Sequence, residues 1–97
     1  MLLESLYEVI NKDKTRATVI LSDKEHPIFK AHFPSNPILP GFIHFEIVSD
    51  LFDIEITTIQ KAKFTNLVLP KQILEYKKNG NKFTVLCESK EVATFSL

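Results

Sequence analysis

The chain has 97 residues, and its 12 Lys and Arg balance its 12 Asp and Glu, so its formal net charge is zero. This length predicts one small domain over residues 1–97, and the lack of excess positive charge argues against nucleic-acid binding. No stretch resembles a secretory leader or a membrane span, so we expect a cytoplasmic location. The single cysteine, Cys87, excludes an intrachain disulfide, and its alternating strand context predicts a buried thiol.

The first part of the chain predicts a β-hairpin followed by a stiff loop. Residues 4–10 and 15–22 are rich in β-branched and aromatic side chains, and the turn-forming residues 11–14 separate them. Four prolines then follow between residues 27 and 40, and each one disfavours helix in the residue before it. We therefore expect an extended segment without regular secondary structure, preceded by an exposed His26.

Residues 41–53 have an apolar period near 3.6, which predicts a helix largely covered by protein. Glu46, Asp50 and Asp53 fall together on its remaining face and form an acidic stripe. His44 lies inside the apolar arc, so a hydrogen-bonded core histidine is favoured over a ligand. The other members of that arc are Ile43, Phe45, Ile47, Val48, Leu51 and Phe52.

The rest of the chain has strand patterns. Four further strands are predicted, at 56–66, 73–78, 82–88 and 91–97. Asn79-Gly80 is a strong two-residue hairpin signal, and Ser89-Lys90 is expected to turn the chain into the last strand. Two strands, one helix and four more strands predict an α+β domain in which an antiparallel sheet covers the helix.

His32 and Glu46 are the candidate catalytic pair. A neutral imidazole accepts a proton near neutral pH, and a carboxyl group with a raised pKa donates one. Gly41 lies where the helix begins, so its N–H is expected among the unsatisfied donors at the positive end of the dipole. Its missing side chain would let a ligand oxygen approach closely. A base, an acid and a preorganised donor suit proton abstraction beside a carbonyl group.

Residues 32–46, HFPSNPILPGFIHFE, resemble the signature of the hot-dog-fold 3-hydroxyacyl-(acyl-carrier-protein) dehydratases. In that FabZ/FabA-like signature, HFPG is followed by further prolines, a Pro-Gly pair and an acidic residue, and the spacing from histidine to acid is the same. Residues 61–64 and 68–70 resemble the strand and the proline turn that follow the helix. The short chain is similar in length to the small dehydratases of aryl polyene biosynthesis.

The resemblance implies a hot-dog fold and the reversible dehydration of a 3-hydroxyacyl thioester to the trans-2-enoyl thioester, in fatty-acid or polyene-type chain synthesis. It implies that His32 removes the C2 proton, Glu46 protonates the departing hydroxyl and the Gly41 N–H holds the thioester oxygen. The residues expected to line the substrate site are Phe33, Pro40, Phe42, Phe45 and Asp50.

The resemblance also implies a homodimer whose active sites are shared between subunits, and higher oligomers are compatible with it. The substrate would be carried on the phosphopantetheine of an acyl carrier protein or coenzyme A, with no metal or redox cofactor. Ala31 and Ser35 replace glycines of the signature, and Asp50 stands where a Gln is common. We expect like charge on Asp50 to favour the protonated form of Glu46, unless the acidic stripe is simply solvated.

Two alternatives stay open. One is a hot-dog acyl thioesterase, although such enzymes typically use a helix carboxylate without the His32-type histidine. The other is a non-catalytic hot-dog protein that binds acyl thioesters. It is compatible with the small size and with the replaced glycines.

Overall fold

Six strands form one antiparallel sheet against a central helix in the computed structural model, which describes residues 5–31 and 37–97. The elements in chain order are β1 (Tyr7–Lys12), β2 (Arg16–Leu21), α1 (Pro27–Ala31), α2 (Ile43–Phe52), β3 (Lys61–Phe64), β4 (Ile73–Asn79), β5 (Lys82–Cys87) and β6 (Lys90–Ser96). The strands are arranged in the order β1-β2-β4-β5-β6-β3. The predicted α+β hot-dog fold is confirmed.

The core lies between α2 and the face of the sheet on which apolar cross-strand partners meet. Val19 pairs with Leu74, and Phe83 pairs with Phe95, so alternate side chains from neighbouring strands form continuous apolar rows. The helix contributes its apolar arc, and Phe45 meets Phe95 edge-on with ring centroids 4.8 Å apart. The helix residues buried in this core are Ile43, His44, Ile47, Val48 and Leu51.

The predicted helix is confirmed, although α2 is shorter than the predicted range at both ends. Its C-terminus is set by Asp53, which adopts a left-handed backbone conformation with φ 51° and donates its N–H to the Ser49 carbonyl. This conformation ends the helix and reverses the chain direction. The Ser49 hydroxyl also donates to the Ile54 carbonyl at 2.5 Å, which fixes the start of the following segment.

The prediction that residues 27–40 lack regular structure is wrong for its first part, because Pro27–Ala31 form the short helix α1. Proline is well accommodated at the first position of a helix, where its missing N–H would have no intrahelical partner. The prediction of an exposed His26 is also wrong. This side chain is 9% exposed, and its Nδ1 accepts the N–H of Ile28 at 3.1 Å.

The strand predicted at 56–66 is confirmed only for Lys61–Phe64. The pairing of β3 with β6 runs from Lys61–Ser96 to Phe64–Ala93, and it is preceded by a hydrogen bond from the Gln60 N–H to the Ser96 carbonyl. Before that point the chain is still returning from the end of α2. The β-branched residues of this stretch do not join the sheet, because a high β propensity forms a strand only where a neighbouring strand can pair with it.

The β1–β2 and β4–β5 hairpins show how turn chemistry sets the register. Between β1 and β2, the Asp13 carboxylate accepts the N–H groups of Thr15 and Arg16, so the turn lies slightly later than predicted. Between β4 and β5, Asn79 still pairs with Lys82, so the two-residue loop is Gly80-Asn81 and Gly80 takes the positive φ of 63°. Both hairpins are confirmed, each with a shifted turn.

No helix in residues 5–31 and 37–97 is long and apolar enough to cross a membrane.

The turn between β5 and β6 allows the register of this hairpin to be tested. Cys87 pairs with Lys90, so the loop is Glu88-Ser89 rather than the predicted Ser89-Lys90, and both loop residues have positive φ, 53° and 66°. A side chain in this conformation costs about 1 kcal/mol. We expect Ser89→Gly to raise the free energy of unfolding by about 1 kcal/mol, measured by chemical denaturation.

The matched control is Ser96→Gly, because Ser96 lies in the regular strand β6. Glycine there should lower the free energy of unfolding by about 0.5–1 kcal/mol. A loss of stability in Ser89→Gly would contradict the loop conformation.

Candidate active site

Two of the three predicted catalytic residues, Gly41 and Glu46, lie at the beginning of α2. The helix starts with a tight turn in which the Gly41 carbonyl accepts the N–H of His44 at 3.1 Å. The N-cap residue Phe42 makes no side-chain capping hydrogen bond. Within the described ranges the Gly41 N–H has no hydrogen-bond acceptor. This end of the helix therefore offers the Gly41 N–H and the positive end of the dipole to an anionic or carbonyl oxygen.

The segment before the helix is anchored to the loop between β3 and β4. The Leu39 N–H donates to the Val68 carbonyl at 2.8 Å, and the Leu39 side chain is buried. Pro40 follows, half-buried, and its carbonyl accepts the N–H of Ile43 at 3.1 Å. The entry to α2 is thus fixed on both sides of Gly41, which gives its N–H the rigidity that a preorganised donor needs.

Glu46 lies in a cleft on the exposed face of α2. The predicted substrate residues Phe42 and Phe45 line the same cleft, and Phe42 is 50% exposed. The other lining residues are Ser49, Glu55, Ile56 and Ile59. The cleft thus combines a carboxyl group able to exchange a proton with aromatic and aliphatic walls suited to an acyl chain.

Sequence reasoning did not identify Glu55, Ile56 and Ile59 as site residues, and it placed residues 56–66 in a strand. They reach the cleft because Asp53 reverses the chain, so that residues 54–59 return alongside the Glu46 face of the helix. The sequence signal for this reversal is weak, because aspartate is only one of several residues that tolerate the left-handed conformation.

Asp50, the other predicted substrate residue on α2, is not among the residues that line the cleft. Its carboxylate accepts a hydrogen bond from the Tyr7 hydroxyl of β1. Burial and then the neighbouring Asp50 raise the pKa of Tyr7, so the phenol remains a donor. This contact connects the first strand to the helix one turn beyond Glu46. The effect of Asp50 on Glu46 that the sequence suggests stays a prediction.

His32, the predicted base, and Phe33 lie outside the described residues, as do Pro34, Ser35 and Asn36 of the same motif. Their predicted roles stay predictions. The described chain resumes at Pro37, four residues before Gly41.

His44 is confirmed as a hydrogen-bonded core residue. It is 3% exposed, and its Nδ1 lies 2.8 Å from the hydroxyl oxygen of Tyr76 on β4. Burial lowers the pKa of His44 to about 4 and raises the pKa of Tyr76. Cys87 is buried as predicted, and burial raises the pKa of its thiol. Both His44 and Cys87 therefore belong to the packing of the domain.

Among residues 5–31 and 37–97 no group of three or more His, Cys, Asp and Glu side chains is placed to hold a metal ion.

Comparison with known families gives one match that spans nearly the whole chain. The sequence model of the ApeI-like family, described as ApeI dehydratase, matches residues 9–96. This match supports a hot-dog dehydratase and does not indicate the FabZ or FabA type. Comparison with the curated proteins gives no match.

Solved structures with the same fold include the dehydratase heterocomplex ApeI:P from Xenorhabdus doucetiae, with a TM-score of 0.69 and 18% identity over 92% of this chain and 93% of that one. A protein from Erwinia carotovora subsp. atroseptica has a TM-score of 0.62 and 19% identity over 91% of this chain and 86% of its own. A mutant of the phenylacetic acid degradation protein PaaI from Thermus thermophilus has a TM-score of 0.53 and 14% identity over 98% and 97%. At these identities the likenesses establish the fold alone.

The buried His44 predicts a specific loss of stability in acid. Because its pKa in the folded chain is about 4 instead of 6.5, the unfolded chain binds the proton more readily. Stability should therefore fall as the pH decreases from about 6.5 to about 4, by roughly 3 kcal/mol in total, and His44 should have no such effect above that window. Chemical denaturation at a series of pH values measures this slope.

His44→Gln should reduce the slope, because an amide does not titrate. Tyr76→Phe is the matched control, since it removes the hydrogen bond but leaves the buried imidazole in place, so the slope should persist at lower overall stability. An equal slope in the original chain and in His44→Gln would contradict the prediction.

Proposed function

Because the chain belongs to the ApeI-like dehydratase family, we propose that it catalyses the reversible removal of water from a 3-hydroxyacyl thioester to give the trans-2-enoyl thioester. The observation that carries this proposal is the placement of Glu46 in a cleft with aromatic and aliphatic walls, five residues after Gly41, whose N–H has no acceptor among the described residues. A carboxyl group and a backbone donor near the beginning of one helix suit the two ends of a β-hydroxy thioester, the C3 hydroxyl and the thioester carbonyl.

In the proposed reaction His32 removes a proton from C2, and the electron pair left behind forms the C2–C3 double bond. Glu46 gives its proton to the C3 hydroxyl, which leaves as water. The Gly41 N–H donates to the thioester oxygen while negative charge develops there. The reverse reaction adds water to the enoyl thioester through the same groups.

The substrate is proposed to arrive on a phosphopantetheine arm, carried by an acyl carrier protein or by coenzyme A. The walls formed by Phe42, Phe45 and Ile59 supply the apolar surface for its acyl chain. Pro40 holds the entry to the helix and is proposed to contact the thioester end. Phe33 and Asp50 keep their proposed roles as substrate residues from the sequence.

We propose that the active form is a dimer with shared sites. Large apolar side chains around the start of α2 and the edge strand β3 are exposed in the single chain, including Phe42, Phe64 and Leu67. An apolar patch at an unpaired sheet edge favours association with another chain. ApeI was solved within a dehydratase heterocomplex, ApeI:P, so a different partner chain is the competing assembly.

A hydration assay tests the activity. Incubation with a 2-enoyl thioester should decrease the absorbance of the conjugated double bond, and Glu46→Gln should lower the rate about 100- to 10,000-fold, because the amide cannot transfer a proton. His32→Ala should have a comparable effect. The matched control is Glu88→Gln, an exposed carboxylate in the β5–β6 turn, which should leave the rate unchanged.

Release of a free thiol in the same assay would replace the dehydratase proposal with a thioesterase. Binding of the thioester without any turnover would indicate a non-catalytic acyl-binding protein.

Subunit complementation tests the shared site. If His32 and Glu46 of one site come from different subunits, mixing the inactive His32→Ala and Glu46→Gln chains should restore roughly a quarter of the original activity, since half of the randomly formed dimers are mixed and each has one intact site. No recovery, with both chains dimeric by light scattering, would contradict a shared site. A monomeric, inactive chain would indicate that a different partner is needed.

A further inference from the structure

The ring of Phe64 lies against Gly41 on the side where a side chain would stand. A Cβ added to Gly41 would be 3.1–3.2 Å from three carbons of this ring, closer than ordinary van der Waals contact. Phe64 is the last residue of β3, and its strand partner is the small residue Ala93 of β6. The ring therefore extends from the edge of the sheet over the first turn of α2.

The backbone of Gly41 does not itself require glycine. Of the two glycines, only Gly80 has a positive φ, whereas Gly41 lies outside the left-handed region that other residues avoid. Replacing glycine by alanine at such a position normally stabilises a protein by restricting the unfolded chain. The three atoms nearest to the added Cβ all belong to Phe64. The steric demand for glycine at position 41 thus comes from Phe64.

Phe64 also joins Gly41 to the aromatic side chains of α2. Its ring is stacked on that of His44, with centroids 6.3 Å apart and planes 19° apart, and tilted against that of Phe45 at 5.9 Å. His44 is in turn held by Tyr76 in the core. One face of the ring therefore packs on a rigid support, while the side chain as a whole remains 47% exposed.

We infer that Phe64 is a positioning residue for the dehydration, an inference that rests on the proposed function. Its ring presses on Gly41 and fixes the first turn of α2, so that the Gly41 N–H keeps the position from which it donates to the thioester oxygen. Phe64 does not contact the reacting atoms in this role. A displacement of about 1 Å at a donor costs on the order of 100-fold in rate, so a loosely held Gly41 would be a poor donor.

Thermal unfolding of four chains tests the contact without reference to activity. Gly41→Ala should lower the Tm of the original chain, because the new methyl group must push the Phe64 ring, which is stacked on His44, by a few tenths of an ångström. In the Phe64→Leu background the same substitution should leave the Tm unchanged or raise it, because the obstruction is gone and alanine restricts the unfolded chain. A change of sign between the two backgrounds is the expected result.

Matched controls separate this coupling from general loss of packing. Phe52→Leu removes another half-buried ring of α2, one that packs on Phe83, and it should not relieve Gly41→Ala. Gly80→Ala should lower the Tm equally in the original chain and in the Phe64→Leu background, since its cost comes from positive φ and no atom lies within 4 Å. An equal loss of Tm for Gly41→Ala with and without Phe64→Leu would overturn the inference.

Kinetics of the enoyl hydration then separate positioning from simple substrate binding. Phe64→Leu should lower kcat about 10- to 100-fold with little change in KM, because the donor acts on charge that develops in the transition state. Phe64→Tyr keeps the ring and should keep kcat. An increase in KM at unchanged kcat would instead make Phe64 a wall of the acyl site and overturn its positioning role.

The two proposals fail in different ways. If the original chain has no dehydratase activity, the proposed function fails, and the positioning role fails with it even when the Tm coupling is present. If the original chain is active but Phe64→Leu keeps its kcat, only the positioning role of Phe64 is rejected.

Discussion

The burial of one apolar helix face on one sheet is the constraint from which the rest of this domain follows. Ile43, Ile47 and Val48 are almost completely removed from solvent, and each such side chain contributes about 1.5–3 kcal/mol relative to exposure. Together a handful of them match the net stability of a typical small protein. Because helical side chains keep fixed angular positions, burying this arc also determines which residues face away from the sheet. Glu46 faces the cleft for this reason.

Hydrogen bonds then restrict how the helix can rotate or slide on the sheet. His44 is bound to Tyr76 at the beginning of α2, and Asp50 is bound to Tyr7 nearer its end. Apolar contacts tolerate small shifts, whereas a buried imidazole or phenol without its partner carries a desolvation cost. The buried His44–Tyr76 pair therefore specifies one alignment among the several that the hydrophobic core alone would accept, and the exposed Tyr7–Asp50 contact agrees with it. The alignment of Gly41 and Glu46 relative to the cleft depends on it.

Local sequence patterns were sufficient to predict the elements whose formation depends on residues close to one another in the chain. The helix period, the proline signature and the turn residues predicted α2, the order of the strands along the chain and the position of Glu46 on the face away from the core. The short helix at Pro27–Ala31 escaped prediction because proline, usually a helix breaker, also suits a first helical position. The strand at 56–60 was predicted from side-chain type alone. A strand also needs a neighbouring strand to pair with, and the local sequence does not indicate which strand lies beside it.

The candidate site likewise contains residues that the sequence could group together and residues that it could not. Glu46, Phe42 and Phe45 belong to one helix and could be grouped from their spacing and from the signature. Glu55 and Phe64 reach the same region only through tertiary structure, one by the chain reversal at Asp53 and the other from the far edge of the sheet. Gly41 was expected to be glycine so that a ligand could approach, whereas in the structure the ring of Phe64 occupies the space that its missing side chain leaves.

The segment that returns from Asp53 has a consequence for how such a domain can diverge. Residues 55–59 make no backbone hydrogen bond to the sheet within the described chain, and regular pairing begins only at Lys61, directly after the hydrogen bond from Gln60 to Ser96. Segments of this kind accept substitutions, insertions and deletions more readily than the ladder of a sheet does. One wall of the cleft can therefore change its length and chemistry while the helix, the sheet and Glu46 stay as they are. Under the proposed function, a change of acyl preference requires alteration of this short stretch alone.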